Sequence, residues 1–104
     1  MELFKTITPE EVQKQLEAGK TLNLIDVRED DEVAEGMIPT AVHIKMGDIP
    51  ENLDKLDPDK EYIFICRSSG RSGRVCEYLI NQGFNVCNMV GGMLEWEGPL
   101  EQKD

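Results

Sequence analysis

Residues 62–74 read Tyr62-Ile63-Phe64-Ile65-Cys66-Arg67-Ser68-Ser69-Gly70-Arg71-Ser72-Gly73-Arg74. The first four are continuously apolar, and each is aromatic or β-branched. That is the pattern of a strand covered on both faces, hence central and parallel in its sheet. A helix follows over Ser72–Gln82, with Val75, Cys76, Leu79 and Ile80 on one face and Gly83 behind it as a stop. A strand feeding a helix through a short polar loop is the building unit of an α/β domain. In open parallel sheets, ligands bind beyond the carboxyl ends of the strands. Cys66 stands at that edge.

The flanking sequence repeats the alternation. Phe4–Ile7 reads as a first strand. Thr8-Pro9-Glu10-Glu11 reads as a helix start, with Thr8 as cap, Pro9 at the first helical position and Glu11 closing a capping box. Val12 and Leu16 share one face, and Gly19 ends the helix. Leu22–Val27 is a second strand, and the acidic run Glu29–Glu35 holds a short helix. Ala41–Ile44 is a third strand. Residues 45–60 read as a loop with a helical turn around Asn52–Leu56. Asn85–Val90 is the fifth strand, and Gly91 to Trp96 turns tightly into a last short helix. The length of 104 residues suits one domain, spanning residues 1–104.

Composition narrows the function classes. There are 21 acids against 11 bases, for a net charge of -10. Such a surface repels nucleic acid and anionic membrane alike, and it favours solubility. Cys66, Cys76 and Cys87 form no Cys-x-x-Cys pair, and lone His43 adds no metal-ligand pattern. An odd cysteine count without a pairing pattern argues against a secreted disulfide scaffold. The start, Met1 to Lys5, lacks the basic and apolar regions of a signal peptide, and no apolar run is long enough to span a membrane. These features predict a cytoplasmic protein with no metal.

The loop after Cys66 opposes the global charge. Arg67, Arg71 and Arg74 lie between Cys66 and Cys76, with no acid among them. A small polar loop with glycines can turn successive N–H groups toward one point, and the following helix aims its positive end there. Both effects, with the guanidinium charges, favour a thiolate and hold the Cys66 pKa below about 8.5. The result is a ready nucleophile in a cradle for an anion. Cys76 and Cys87 read as core residues, one on the apolar helix face and one inside a strand.

Three stretches carry a resemblance. They are Asp26-Val27-Arg28-Glu29 with Glu35-Gly36-Met37-Ile38-Pro39-Thr40-Ala41, the Cys66 to Ser72 loop, and Gly91-Gly92-Met93-Leu94-Glu95-Trp96-Glu97-Gly98. In this order and spacing the chain resembles the rhodanese domain family, above all its small single-domain bacterial members. The resemblance implies a three-layer α/β/α fold with a five-stranded parallel sheet in the order 3-2-4-5-1. It implies a thiosulfate sulfurtransferase in which Cys66 takes a sulfur atom as a persulfide and passes it to cyanide or a thiol, a protein thiol included. No cofactor is implied, and a monomer is expected. The loop residues Arg67, Ser68, Ser69, Gly70, Arg71 and Ser72 would bind the anionic donor and stabilise the terminal sulfur. Arg74, a turn into the helix, would be solvated. Arg28 and Gly91-Gly92 would border the mouth, with a salt bridge from Arg28 to the acidic run as the competing reading.

The loop departs from the family pattern at Ser69, where a glycine is common; a positive φ there would strain the serine. Met37 and Thr40 stand where family members often have His and Gly. His43 reads as a packed side chain. Two rival functions share these features. A cysteine phosphatase or arsenate reductase also uses a thiolate in an anion loop. However, four residues separate Cys66 from Arg71, one fewer than in tyrosine-phosphatase-type loops, and no general acid lies in the loop. A persulfide carrier or docking module would work with protein partners, and the acidic surface would steer a basic one.

Overall fold

The computed structural model describes residues 4–102. Its elements are β1 (Lys5–Ile7), α1 (Pro9–Glu17), β2 (Leu24–Asp26), α2 (Asp30–Val33), β3 (Val42–His43), β4 (Glu61–Ile65), α3 (Gly70–Ile80) and β5 (Asn85–Met89). Short 3-10 turns occupy Met46–Asp48, Pro50–Lys55 and Gly92–Glu95. The sheet order is β1-β5-β4-β2-β3, and every pairing is parallel. This is the expected order counted from the other edge. The apolar run puts β4 at the centre, between β2 and β5.

Alternation along the strands divides the core into two layers. Ile25, Phe64 and Val86 pack with Val75 and Leu79 of α3. Leu24, Ile63, Ile65, Cys87 and Met89 pack with Val12 of α1. Neighbouring strand residues thus serve opposite faces, as a period of two requires. Helix α1 begins as its sequence predicts: the Glu11 N–H donates to Thr8 Oγ1 and the Thr8 N–H to Glu11 Oε1, each at 3.1 Å. No helix among the described residues is long and apolar enough to cross a membrane.

Several boundaries differ from the sequence reading. Helix α3 begins at Gly70 rather than Ser72, because Ser69 turns the chain through a left-handed conformation and the helix starts at once. The strands other than β4 are shorter by one to three residues, most of all β2, which spans Leu24–Asp26 rather than Leu22–Val27, while β3 keeps only Val42–His43. Residues 45–60 carry two 3-10 segments rather than one turn at Asn52–Leu56.

Candidate active site

Cys66 follows directly on the last residue of β4 and is only 1% exposed. The Ser69 N–H donates to its Sγ at 3.0 Å, and Ser72 Oγ lies 3.3 Å away. The loop is fixed from its other side by the turn after β5. The Met93 N–H donates to the Cys66 carbonyl at 2.9 Å and the Leu94 N–H to the Arg67 carbonyl at 3.0 Å. That approach requires Gly92: a Cβ there would sit 2.4 Å from the Arg67 carbonyl oxygen, and its φ is +58°.

Burial pushes the Cys66 thiol up. Hydrogen bonds from the Ser72 hydroxyl and from the Ser72, Ser68 and Ser69 amides outweigh it, so the pKa lies below its ordinary value. Cys76 and Cys87 have no such donors, and burial takes them to about 12 and about 11. All three cysteines are free thiols. Serine and amide donors, rather than arginine charge, thus do most to favour the Cys66 thiolate.

The arginines are arranged unevenly. Arg67 and Arg74 are exposed. Arg71 forms a two-pronged ion pair with Glu32 of α2, Nη1 to Oε1 at 2.6 Å and Nη2 to Oε2 at 2.7 Å. This pair was not anticipated from the sequence, and it ties α2 to the start of α3. It also takes Glu32 from the ordinary 4.5 down to about 2, chiefly through the hydrogen bonds from Arg71. A depressed carboxylate contributes stability in full above its unfolded pKa and loses it as pH falls toward the folded one. Glu32→Gln should therefore cost about 1 kcal/mol at neutral pH, allowing for solvent screening. In urea unfolding series, that difference should shrink between pH 4.5 and about 2.

Arg28 departs from both sequence readings. Its Nε and Nη2 donate to the Asp26 carboxylate, at 2.8 Å for the closest contact, and Nη2 also donates to the Gly36 carbonyl. Nη1 reaches the Glu32 carbonyl at 3.4 Å. The ion-pair partner is Asp26, inside the sheet, and not a carboxylate of the acidic run. With 7% exposure, the guanidinium is committed to the interior rather than offered at the mouth. His43 is packed beside it, with Nε2 2.7 Å from the Arg28 carbonyl oxygen.

Ser69 has φ +94°, the strained value its replacement of glycine foreshadowed, and Thr40 has φ +76°. These are the only two non-glycine residues with positive φ among those described, and both are positions where the family resemblance implies that glycine is common. The left-handed conformation costs a residue with a Cβ about 1–2 kcal/mol, partly offset in a Gly variant by greater freedom when unfolded. Ser69→Gly and Thr40→Gly should each raise the unfolding free energy by about 0.5–1 kcal/mol. Thermal unfolding would register this as a rise of a few degrees, and a fall would contradict it.

Ser68, Ser69, Gly70 and Ser72 all lie on the turn that wraps Sγ, between β4 and the first turn of α3. Sequence reasoning missed Glu32, Gly92 as a backbone clamp, and Asn88, whose Oδ1 lies 2.5 Å from Ser72 Oγ. Asn88 carried a signal as a polar side chain in a strand otherwise reading as buried, and Gly92 lay in a motif expected at the mouth without its clamping role being legible.

Comparison with known proteins agrees with this architecture. Residues 8–99 match the model of the rhodanese-like domain. YtwF of Bacillus subtilis, a candidate sulfurtransferase by name, is 58% identical over 101 residues, covering 97% of this chain and 98% of its own. The thiosulfate sulfurtransferase GlpE of Pseudomonas savastanoi is 34% identical, over 89% of this chain and 87% of its own. A crystal structure of a rhodanese-like domain protein from Staphylococcus aureus superposes with a TM-score of 0.91 at 40% identity, covering 97% of this chain and all of that one.

Proposed function

From the premise that this chain belongs to the rhodanese-like domain family and is a sulfurtransferase, we propose that it moves sulfane sulfur from thiosulfate or a related anion, through a persulfide on Cys66. The observation that carries the reading is the convergence of the Ser69 N–H and the Ser72 hydroxyl on one nearly enclosed sulfur. In the first step the Cys66 thiolate attacks the outer sulfur of thiosulfate. A new S–S bond forms, the old one breaks, and sulfite leaves with the bonding pair. In the second step cyanide or a thiolate attacks the terminal sulfur, and Cys66 leaves as thiolate. The loop amides stabilise the charge on the terminal sulfur, as an oxyanion hole does for oxygen. Arg67, exposed beside the loop, attracts the anionic donor.

A phosphatase reading is less well supported. Arg71, the only arginine near the usual position for gripping a phosphate, is bound to Glu32. The short loop also encloses a sulfur more closely than it could a tetrahedral dianion. The discriminating assay offers thiosulfate with cyanide and, separately, an aryl phosphate. Thiocyanate formation without phosphate release is the expected result; turnover of the aryl phosphate alone would overturn the proposal.

A further inference from the structure

Ser72 has one hydroxyl proton and three acceptors within reach. Its Oγ lies 3.3 Å from Cys66 Sγ, 3.2 Å from the Ser69 carbonyl oxygen and 2.5 Å from Asn88 Oδ1. Ser72 is 0% exposed and Asn88 4%, so both groups are shielded from bulk solvent and hydrogen-bond within this cluster. Two oxygens at 2.5 Å need a proton between them. In this arrangement the hydroxyl therefore donates to Asn88. The amide is held in that sense by its other end, where Nδ2 donates to the Ser69 carbonyl at 3.4 Å.

A thiolate on Cys66 makes a competing demand on the same proton. We propose that Asn88 is a positioning residue: it competes with Cys66 Sγ for the single hydroxyl proton of Ser72, and so favours the forms of Cys66 in which Sγ carries no charge. In the neutral form the thiol donates to Ser72 Oγ, and Ser72 donates to Asn88 Oδ1. On ionisation the thiol proton leaves to solvent, and the Ser72 hydroxyl rotates toward Sγ without ionising. Asn88 Oδ1 then loses its donor in a buried place, which is costly. Turning the amide over does not repair this, because Oδ1 would then face the Ser69 carbonyl oxygen.

The consequence bears on sulfur loading, and it rests on the reading that Cys66 reacts as a thiolate. In a persulfide the negative charge sits on the outer sulfur, and the Ser72 hydroxyl can return to Asn88. Asn88 thus limits how far the loop donors lower the thiol pKa and relieves the loaded form relative to the free thiolate.

The test reads thiol ionisation and does not depend on sulfur transfer. The rate of Cys66 alkylation by iodoacetamide is followed against pH, with the modified cysteine identified by peptide mass. Asn88→Leu should move the midpoint down by about one pH unit, a tenfold change in the thiolate-to-thiol ratio. In a Ser72→Ala background the same substitution should leave the midpoint where it was. No shift, an upward shift, or an equal shift in the Ser72→Ala background would overturn the proposal. A second measurement needs no variant. The Asn88 side-chain amide resonances of the unaltered protein should titrate with the Cys66 midpoint, and resonances flat across that range would also overturn it. Both readings stand whether or not the protein transfers sulfur, so failure here and failure of the sulfurtransferase proposal are separable.

Discussion

Cys66→Ala should lower sulfur transfer from thiosulfate to cyanide by at least about 10³-fold, because a double displacement has no route without its nucleophile. The fold should survive. Cys66 sits at the end of β4 rather than within it, and its carbonyl, not its side chain, is what Met93 binds. The variant removes one buried sulfur, which costs about 1–2 kcal/mol at most. Loss of activity with little loss of stability is therefore the expected pair of results. Cys76→Ala and Cys87→Ala provide the contrast. Those thiols lie at about 12 and about 11 and are almost fully protonated at neutral pH, so their replacement should leave turnover within about twofold while costing stability through the cavities left behind. Steady-state rates with equilibrium unfolding on the same samples check both halves.

The second large effect is on folding. Arg28→Ala should destabilise the domain by about 3–5 kcal/mol, because it strands the fully buried Asp26 carboxylate without its cation. For a domain of this size that corresponds to a fall in Tm of roughly 10–30 °C. Asp26 would keep a hydrogen bond from the Arg28 main-chain N–H, at 3.0 Å, which does not replace a charge. Arg28→Lys should recover only part of the loss, since one ammonium cannot bond Asp26 and the Gly36 carbonyl in the same fork geometry. If Arg28 instead bound the donor, Arg28→Ala would raise the KM for thiosulfate at nearly unchanged stability. Thermal unfolding beside a KM measurement separates the two roles.

The parts of this fold that were legible in the sequence are those set by local pattern. The apolar run at 62–65 placed the central strand, the capping box placed the start of α1, and the alternation of apolar and polar stretches gave the α/β class. The position of Cys66 at a strand end, and its activation by a glycine-containing loop, followed from the same reasoning. Contacts between distant segments did not. Glu32 and Arg71 are 39 residues apart, and nothing in the acidic run marks Glu32 above its neighbours. The orientation of Arg28 is decided by Asp26 two residues away, a partner that the five acids at positions 29–35 obscured. The basic cradle that the sequence predicts is therefore not what contacts the sulfur. Of its three arginines, one is neutralised across the domain and two remain exposed, while serine and backbone donors contact the sulfur.

Ser69 shows how sequence and structure inform one another. A serine where glycine is common raised the question of a positive φ, and the backbone answers it at +94°. That conformation starts α3 at Gly70 and brings the Ser69 N–H onto the Cys66 sulfur. The strained residue and the donor are the same residue, so relief of strain and retention of the hydrogen bond can be examined in one variant.

The most direct measurement is the intact mass of the protein after treatment with thiosulfate, followed by peptide mapping. The account predicts one added sulfur atom, located on Cys66, removed by cyanide and absent from Cys66→Ala. A protein that gains no sulfur, or gains it on Cys76 or Cys87, would contradict it.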